Sequence, residues 1–317
     1  MLRLLCECST RSRECEEHTF ALIKKGTIFL ERTKKAILVV SFGTSYEETR
    51  KKTIDKIEES IKNEYPQYRV YRAWTSAMIR KKLLRRDGIA IPDVAGAMEE
   101  MLGDGITDVI VQPTHVLNGI ENDRMEEQLR SYRGRFAHIV TGDPLLTTPK
   151  DNERVIGCVA SELAPSDEEA LVLMGHGTEH FANSVYDALD LQFKDNGYKN
   201  IFLGTVEAYP DFETLLKRVE NLRPKRVLLA PFMIVAGDHA LNDLAGSDRD
   251  SWKSRMEAAG YETQCILKGL GEYEGIRRLF LSHVAASEKV LELVKDSDAD
   301  FLRTADLGNT IGEGCGV

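Results

Sequence analysis

Ala36-Ile37-Leu38-Val39-Val40-Ser41-Phe42-Gly43-Thr44-Ser45 decides the fold of this chain. The apolar run Ala36–Val40 is too short for a helix. Its β-branched content fits a strand buried on both faces. The run ends in a glycine turn that feeds a helix. Ser45 and Glu48 have the spacing of a capping box, and Ile54, Ile57 and Ile61 recur on one helical face before Pro66. Arg69-Val70-Tyr71 reads as a second strand, followed by a polar helix through Met78, Leu83 and Leu84. Pro92 opens a helix carrying Val94, Met98, Met101 and Leu102. Asp108-Val109-Ile110-Val111-Gln112-Pro113 is a third strand, ending in a long loop with His115 and Gly119. The order βαβαβ predicts a parallel sheet covered by helices on both faces.

The pattern then returns. Leu171-Val172-Leu173-Met174 enters Gly175-His176-Gly177-Thr178. A helix follows through Val185, Tyr186, Leu189 and Phe193 to a stop at Gly197. Ile201-Phe202-Leu203 enters Thr205-Val206-Glu207-Ala208-Tyr209-Pro210, and a helix of Phe212, Leu215, Leu216 and Val219 follows. Arg226-Val227-Leu228-Leu229-Ala230-Pro231-Phe232 enters Val235-Ala236-Gly237-Asp238-His239. Val40-Ser41-Phe42-Gly43-Thr44 overlays Met174-Gly175-His176-Gly177-Thr178, and Gln112-Pro113 overlays Ala230-Pro231. Gly119 and Gly237 each lie six residues past their proline. The chain therefore reads as an α/β protein of two similar doubly wound parallel-sheet domains, an internal duplication. Residues 34–142 form the first half and 143–286 the second. The loops at the strand carboxyl ends line a cleft between them. Residues 1–33 show no clean period and read as a disordered extension, and 287–317 as a tail without assigned structure.

Composition bounds the function. The 317 residues hold 42 basic and 51 acidic side chains, a net charge of −9. That argues against a nucleic-acid partner, which needs a basic face. No apolar run reaches the roughly 18–20 residues of a membrane span, so a soluble protein without a membrane partner is expected. Of the cysteines, Cys6, Cys8 and Cys15 crowd the start, Cys315 lies near the end, and Cys158 and Cys265 remain in the body. No CxxC pair suggests zinc or redox work. Sparse cysteine in the body points to a reducing, cytoplasmic setting.

Three residues follow the strands of the second half: His176, Glu207 and His239, separated by 31 and 32 residues, about one βα unit each. In a parallel sheet those loops open on one edge, so the side chains can converge. Two imidazoles and a carboxylate suit a first-row divalent metal. Each residue alone is an ordinary loop residue. The three at equivalent strand ends, with glycine beside both histidines, favour a metal site. His115 occupies the matching first-half loop and is a candidate substrate contact. His180 is four residues past His176, but that pair need not share a face. His18, His138 and His283 read as leader, surface or helix residues. Phe42 stands where the second half has His176, so the first half offers an apolar and hydroxyl-bearing wall (Phe42, Gly43, Thr44, Ser45). The glycine turns match neither GxGxxG nor a P-loop, so no nucleotide is expected. Asp238-His239 with Asn242-Asp243 could suggest hydrolase chemistry, but no GxSxG elbow accompanies them.

Ala36–Ser45, Met174–Thr178, Val206–Pro210 and Ala236-Gly237-Asp238-His239-Ala240-Leu241-Asn242-Asp243, taken in order, resemble the anaerobic cobalt chelatase family CbiK from about residue 34 to 285. The resemblance implies a two-domain fold related to ferrochelatase. It implies insertion of Co2+ into sirohydrochlorin, or its reduced form precorrin-2, with release of two protons on the anaerobic route to cobalamin. It places the metal on His176, Glu207 and His239, with His176 as proton acceptor, and needs no organic cofactor. Residues 1–33 and the stretch beyond about 286 lie outside it. The substrate's eight carboxylates would need local basic partners, and Arg50, Arg80, Arg85, Arg124 and the helix near Lys51 are candidates beside the plainer view of a solvated helix face. Two alternatives stay open: an iron or nickel chelatase of the same fold, and a tetrapyrrole or metal carrier that performs no insertion. A homo-oligomer also stays open.

Overall fold

The computed structural model describes residues 34–297 in full, the backbone of a helix as far as Asn309, and the backbone of two short antiparallel strands, β1 (Ile23–Lys24) and β2 (Thr27–Ile28). Cys6, Cys8, Cys15, His18 and Cys315, with most of the expected extension over 1–33, lie outside the described residues.

The first sheet runs Arg69–Trp74, Lys35–Ser41, Asp108–Pro113, His138–Thr141 across its width and the second Ile201–Thr205, Glu169–Gly175, Arg226–Pro231, Glu262–Cys265, all strands parallel. In the first half the order is β3 (Lys35–Ser41), α1 (Glu47–Lys52), α2 (Ile54–Glu64), β4 (Arg69–Trp74), α3 (Ala77–Asp87), α4 (Val94–Gly103), β5 (Asp108–Pro113), α5 (Ile120–Arg130) and β6 (His138–Thr141). After α6 (Pro149–Leu163) the second half follows with β7 (Glu169–Gly175), α7 (Ser184–Asp195), β8 (Ile201–Thr205), α8 (Phe212–Leu222), β9 (Arg226–Pro231), α9 (Trp252–Ala258) and β10 (Glu262–Cys265). The chain then enters α10 (Glu274–Asn309). β3 and β7 are the equivalent inner strands, each flanked by the next two strands of its own half. Among the described residues no helix is long and apolar enough to cross a membrane.

Strand alternation builds the layers. On β3, Ile37 and Val39 face one core while Ala36, Leu38 and Val40 face another. On β7, Leu171 and Leu173 share the first core with Ile37 and Val39, and Ala170, Val172 and Met174 face a third. A period of two puts alternate residues on opposite faces, so a strand buried on both sides needs the continuous apolar run seen here. The shared central core joins the halves. α10 belongs to it: Ile276, Phe280, Val284 and Leu291 are buried there, and the helix packs on β5, β6, α2 and α6. It leaves the second half and covers the first, and position 286 falls inside it.

Two local expectations give way. The capping box at Ser45 and Glu48 does not form, because the helix starts one residue later with Tyr46 as its N-cap and no side-chain cap bond. Ser45 is buried and its carbonyl accepts from Arg86. The helix also breaks at Thr53, which lies outside helical geometry and donates its hydroxyl to the Thr49 carbonyl at 2.6 Å. The loop after β5 holds His115 and ends, as expected, at Gly119, the N-cap of α5.

Candidate metal site

The strand ends of the two halves are built alike. Val40 pairs with Pro113 and Met174 with Pro231. The Val40 carbonyl accepts from Thr114 N–H (2.8 Å) as the Met174 carbonyl accepts from Phe232 N–H (2.6 Å). Ser41 receives Thr75 N–H as Gly175 receives Val206 N–H, both at 3.0 Å. Phe42 receives Ser76 N–H (3.2 Å) as His176 receives Glu207 N–H (3.0 Å). Those bonds splice the loops bearing His176 and Glu207 together beyond the sheet. In the first half the same positions hold Phe42 and Ser76, whose hydroxyl accepts from Ile79 N–H to cap α3. The same backbone thus presents ligand chemistry in one half and structural chemistry in the other.

Glycine is required at both turns. Gly43 has φ +101°, and a Cβ there would sit 2.6 Å from the Trp74 ring. Gly177 has φ +88°, and a Cβ would sit 2.9 Å from Ala208 N. Neither backbone region nor space admits a larger residue without strain.

His176, Glu207 and His239 come together, with one ligand atom from each lying within 4.8 Å of the others. The imidazole rings stand 4.7 Å apart at 89°. His176 Nδ1 is 3.5 Å from Glu207 Oε2 and 2.9 Å from the Gly177 carbonyl. His239 Nδ1 is 2.7 Å from Asp243 Oδ2. The side chains are 43%, 54% and 31% exposed in the order His176, Glu207, His239. The trio is open to solvent and offers a metal room for further ligands.

Contacts between the two halves frame this site. Tyr46 O–H donates to Asp238 at 2.8 Å, beside His239, and that bond holds the phenol pKa above its usual value. His180 Nε2 lies 3.2 Å from Asp123 on α5, while its Nδ1 accepts from Ala182 N–H to cap a short 3-10 turn. His180 thus joins the halves and stays out of the trio. Phe42 is 43% exposed, whereas Thr44, Ser45 and His115 are buried. His115 has no hydrogen-bond partner for either ring nitrogen among the described residues, and burial pushes its pKa down to about 4.

The basic candidates are engaged elsewhere. Arg50 pairs with Asp55 (3.2 Å), Arg80 with Asp93 (3.0 Å) and Arg124 with Glu121 (2.7 Å). Lys51 pairs with Glu47 (2.9 Å), and Arg85 donates to the Lys81 carbonyl (3.3 Å). The plainer view of a self-neutralised helix surface fits these residues.

Residues 35–289 match the family described as "Cobalt chelatase (CbiK)". The chain belongs to that family. A sirohydrochlorin cobaltochelatase of Salmonella typhimurium is 38% identical over 253 residues, 79% of this chain and 95% of its own length. Sirohydrochlorin cobaltochelatase CbiKC of Nitratidesulfovibrio vulgaris is 32% identical over 267 residues, 83% of this chain and 94% of its own. SirB from Bacillus subtilis with Fe3+ superposes with a TM-score of 0.56 at 14% identity, over 80% of this chain and 95% of SirB. At that identity the likeness speaks for the fold. The α/β architecture with two parallel sheets is that of this chelatase.

Tyr46, Asp123, Asp238 and Asp243 are the site's further polar residues. Asp243 carried a sequence signal, the i,i+4 spacing from His239. The cross-cleft partners are 192 and 57 residues apart in the chain, and no local pattern marks them.

Proposed function

We propose that this chain is a sirohydrochlorin cobaltochelatase, inserting Co2+ into sirohydrochlorin or precorrin-2 with release of two protons, in anaerobic cobalamin synthesis. The observation that carries this is the convergence of His176, Glu207 and His239 at equivalent strand ends in a chain of the cobalt chelatase family.

The metal is a substrate and must be passed on. Two imidazoles and one carboxylate bind a divalent ion while leaving positions open, the arrangement of reactive rather than structural centres. Solvent exposure of all three ligands keeps the site accessible to the ring. As ring nitrogens replace protein ligands, each pyrrole N–H proton needs an acceptor. His176 takes these protons one at a time at Nε2, the nitrogen left with the lone pair because Nδ1 is tied to the Gly177 carbonyl, and passes the first to solvent before the second leaves, as an imidazole that exchanges protons near neutral pH can do. Glu207, 3.5 Å away, stabilises the imidazolium that results. Phe42, at the position equivalent to His176, supplies an apolar wall for the macrocycle, with Gly43, Thr44 and Ser45 forming its turn and His115 buried in the loop after β5. The free thiols Cys158 and Cys265 are compatible with a cytoplasmic setting.

The test is His176→Ala. The variant should fold, judged by its unfolding transition, and lose Co2+ insertion as followed by the tetrapyrrole absorption spectrum. Near-normal insertion by the folded variant would remove His176 from the mechanism.

A further inference from the structure

The two histidines of the trio are held differently. His176 Nδ1 meets a neutral acceptor, the Gly177 carbonyl, at 2.9 Å. His239 Nδ1 meets a carboxylate, Asp243 Oδ2, at 2.7 Å. The second contact is built by the backbone. His239 precedes a π-helical turn, Ala240–Leu244, which Ala245 N–H closes onto the Ala240 carbonyl at 3.2 Å. Gly246 then packs so tightly that a Cβ there would lie 2.2 Å from the Asn242 carbonyl. π-Turns are rare and concentrate at functional sites. His239 and Asp243 stand four residues apart at this turn, the spacing that brings two helical side chains together.

A carboxylate on one imidazole nitrogen fixes the tautomer, orients the ring and strengthens the opposite nitrogen as a ligand. A backbone carbonyl supplies orientation with no negative charge. We propose that Asp243 is a positioning residue that holds His239 as the Nδ1–H tautomer with Nε2 toward the metal. His239 thereby becomes the anchoring ligand, retained until transfer, while His176 is the ligand that lets go and takes the proton. This rests on the trio being the metal site.

The experiment is Co2+ binding to the full chain without tetrapyrrole, by competition against a chromophoric chelator. Histidine nitrogen NMR of the metal-free protein accompanies it. Asp243→Ala should weaken Co2+ binding by about 10–100-fold and abolish the Nδ1–H signature of His239. Asp243→Asn keeps an acceptor oxygen without the charge and should fall between the two. In turnover, Asp243→Ala should raise the KM for Co2+ and leave the KM for sirohydrochlorin unchanged, which a merely structural role would not do. His239→Ala separates the two claims. If it leaves Co2+ binding intact, the assignment of the trio fails. If it weakens binding while Asp243→Ala keeps wild-type affinity and the His239 tautomer, the role of Asp243 alone is refuted.

Discussion

Gly177→Ala and Gly197→Ala form a matched pair that links backbone geometry to the site. Both glycines hold nearly the same left-handed φ, +88° and +90°. Alanine at either position incurs the steric cost of that region, about 1–2 kcal/mol. Their surroundings differ. A Cβ on Gly197 meets nothing within 4 Å, whereas one on Gly177 meets Ala208 N at 2.9 Å and the Cβ atoms of Ala208 and Thr205 at 3.0 Å. These neighbours are backbone or stubs close to it and cannot rotate away. Overpacking of that kind adds about 1–3 kcal/mol. Gly197→Ala should therefore lose about 1–2 kcal/mol and Gly177→Ala about 2–5 kcal/mol in denaturant unfolding. The functional contrast should be sharper. Relief at Gly177 must push apart the loops bearing His176 and Glu207, which meet through a backbone bond of 3.0 Å, so Co2+ affinity and insertion should fall. Gly197 lies beyond the far end of α7 and should leave both unchanged. Equal destabilisation of the two variants, with Gly177→Ala still binding Co2+ at wild-type affinity, would refute the packing argument.

Three further outcomes follow from the same structure. His115 is buried and its pKa falls to about 4 from 6.5, so the unfolded chain binds the proton more readily. The stability tied to the neutral ring is complete above pH 6.5, is lost as pH falls toward 4, and amounts to about 3 kcal/mol. His115→Gln should flatten that part of the stability–pH curve, and an unchanged slope would contradict it. Asp190, 2% exposed, accepts from Lys194 (2.5 Å), Arg218 (2.7 Å) and Leu203 N–H (2.7 Å). Asp190→Ala strands the partly buried Lys194 and should cost about 3–5 kcal/mol by chemical unfolding, a loss below 1 kcal/mol arguing against it. Tyr46→Phe removes one cross-cleft bond at an exposed position. It should change stability by no more than about 1 kcal/mol, while hydrogen exchange in the Asp238 loop should quicken. Unchanged exchange there would deny that the bond restrains the loop.

The legible part of the fold is the part that water writes. Buried parallel strands must be apolar throughout, and Ala36–Val40, Val109–Val111 and Leu171–Met174 declare themselves that way. Two of the four edge strands of the parallel sheets do not. His138–Thr141 and Glu262–Cys265 are half-exposed and carry mixed residues, so they leave no apolar run to find. The trio was legible because strand ends in a parallel sheet share one edge, and overlaying the halves shows which loop residues sit there. Pairing across the cleft was not legible, since Tyr46–Asp238 and His180–Asp123 depend on how the halves pack. The path of α10 was hidden for the same reason. Its stripe of Ile276, Phe280, Val284 and Leu291 announces a helix with one buried face, but not that this face covers the first sheet. Ser45 and Glu48 show the converse, a correct local spacing overridden when Ser45 is buried beneath Arg86.

The proposed activity is tested most directly by mixing the purified chain with a large molar excess of sirohydrochlorin and Co2+ under anaerobic conditions and following the tetrapyrrole spectrum. A chelatase converts many equivalents per chain above the uncatalysed rate, and His176→Ala, Glu207→Ala and His239→Ala each reduce that rate while remaining folded. Conversion that stops at one equivalent per chain, or a rate that all three variants retain, would contradict catalysis at this trio and leave a carrier in its place.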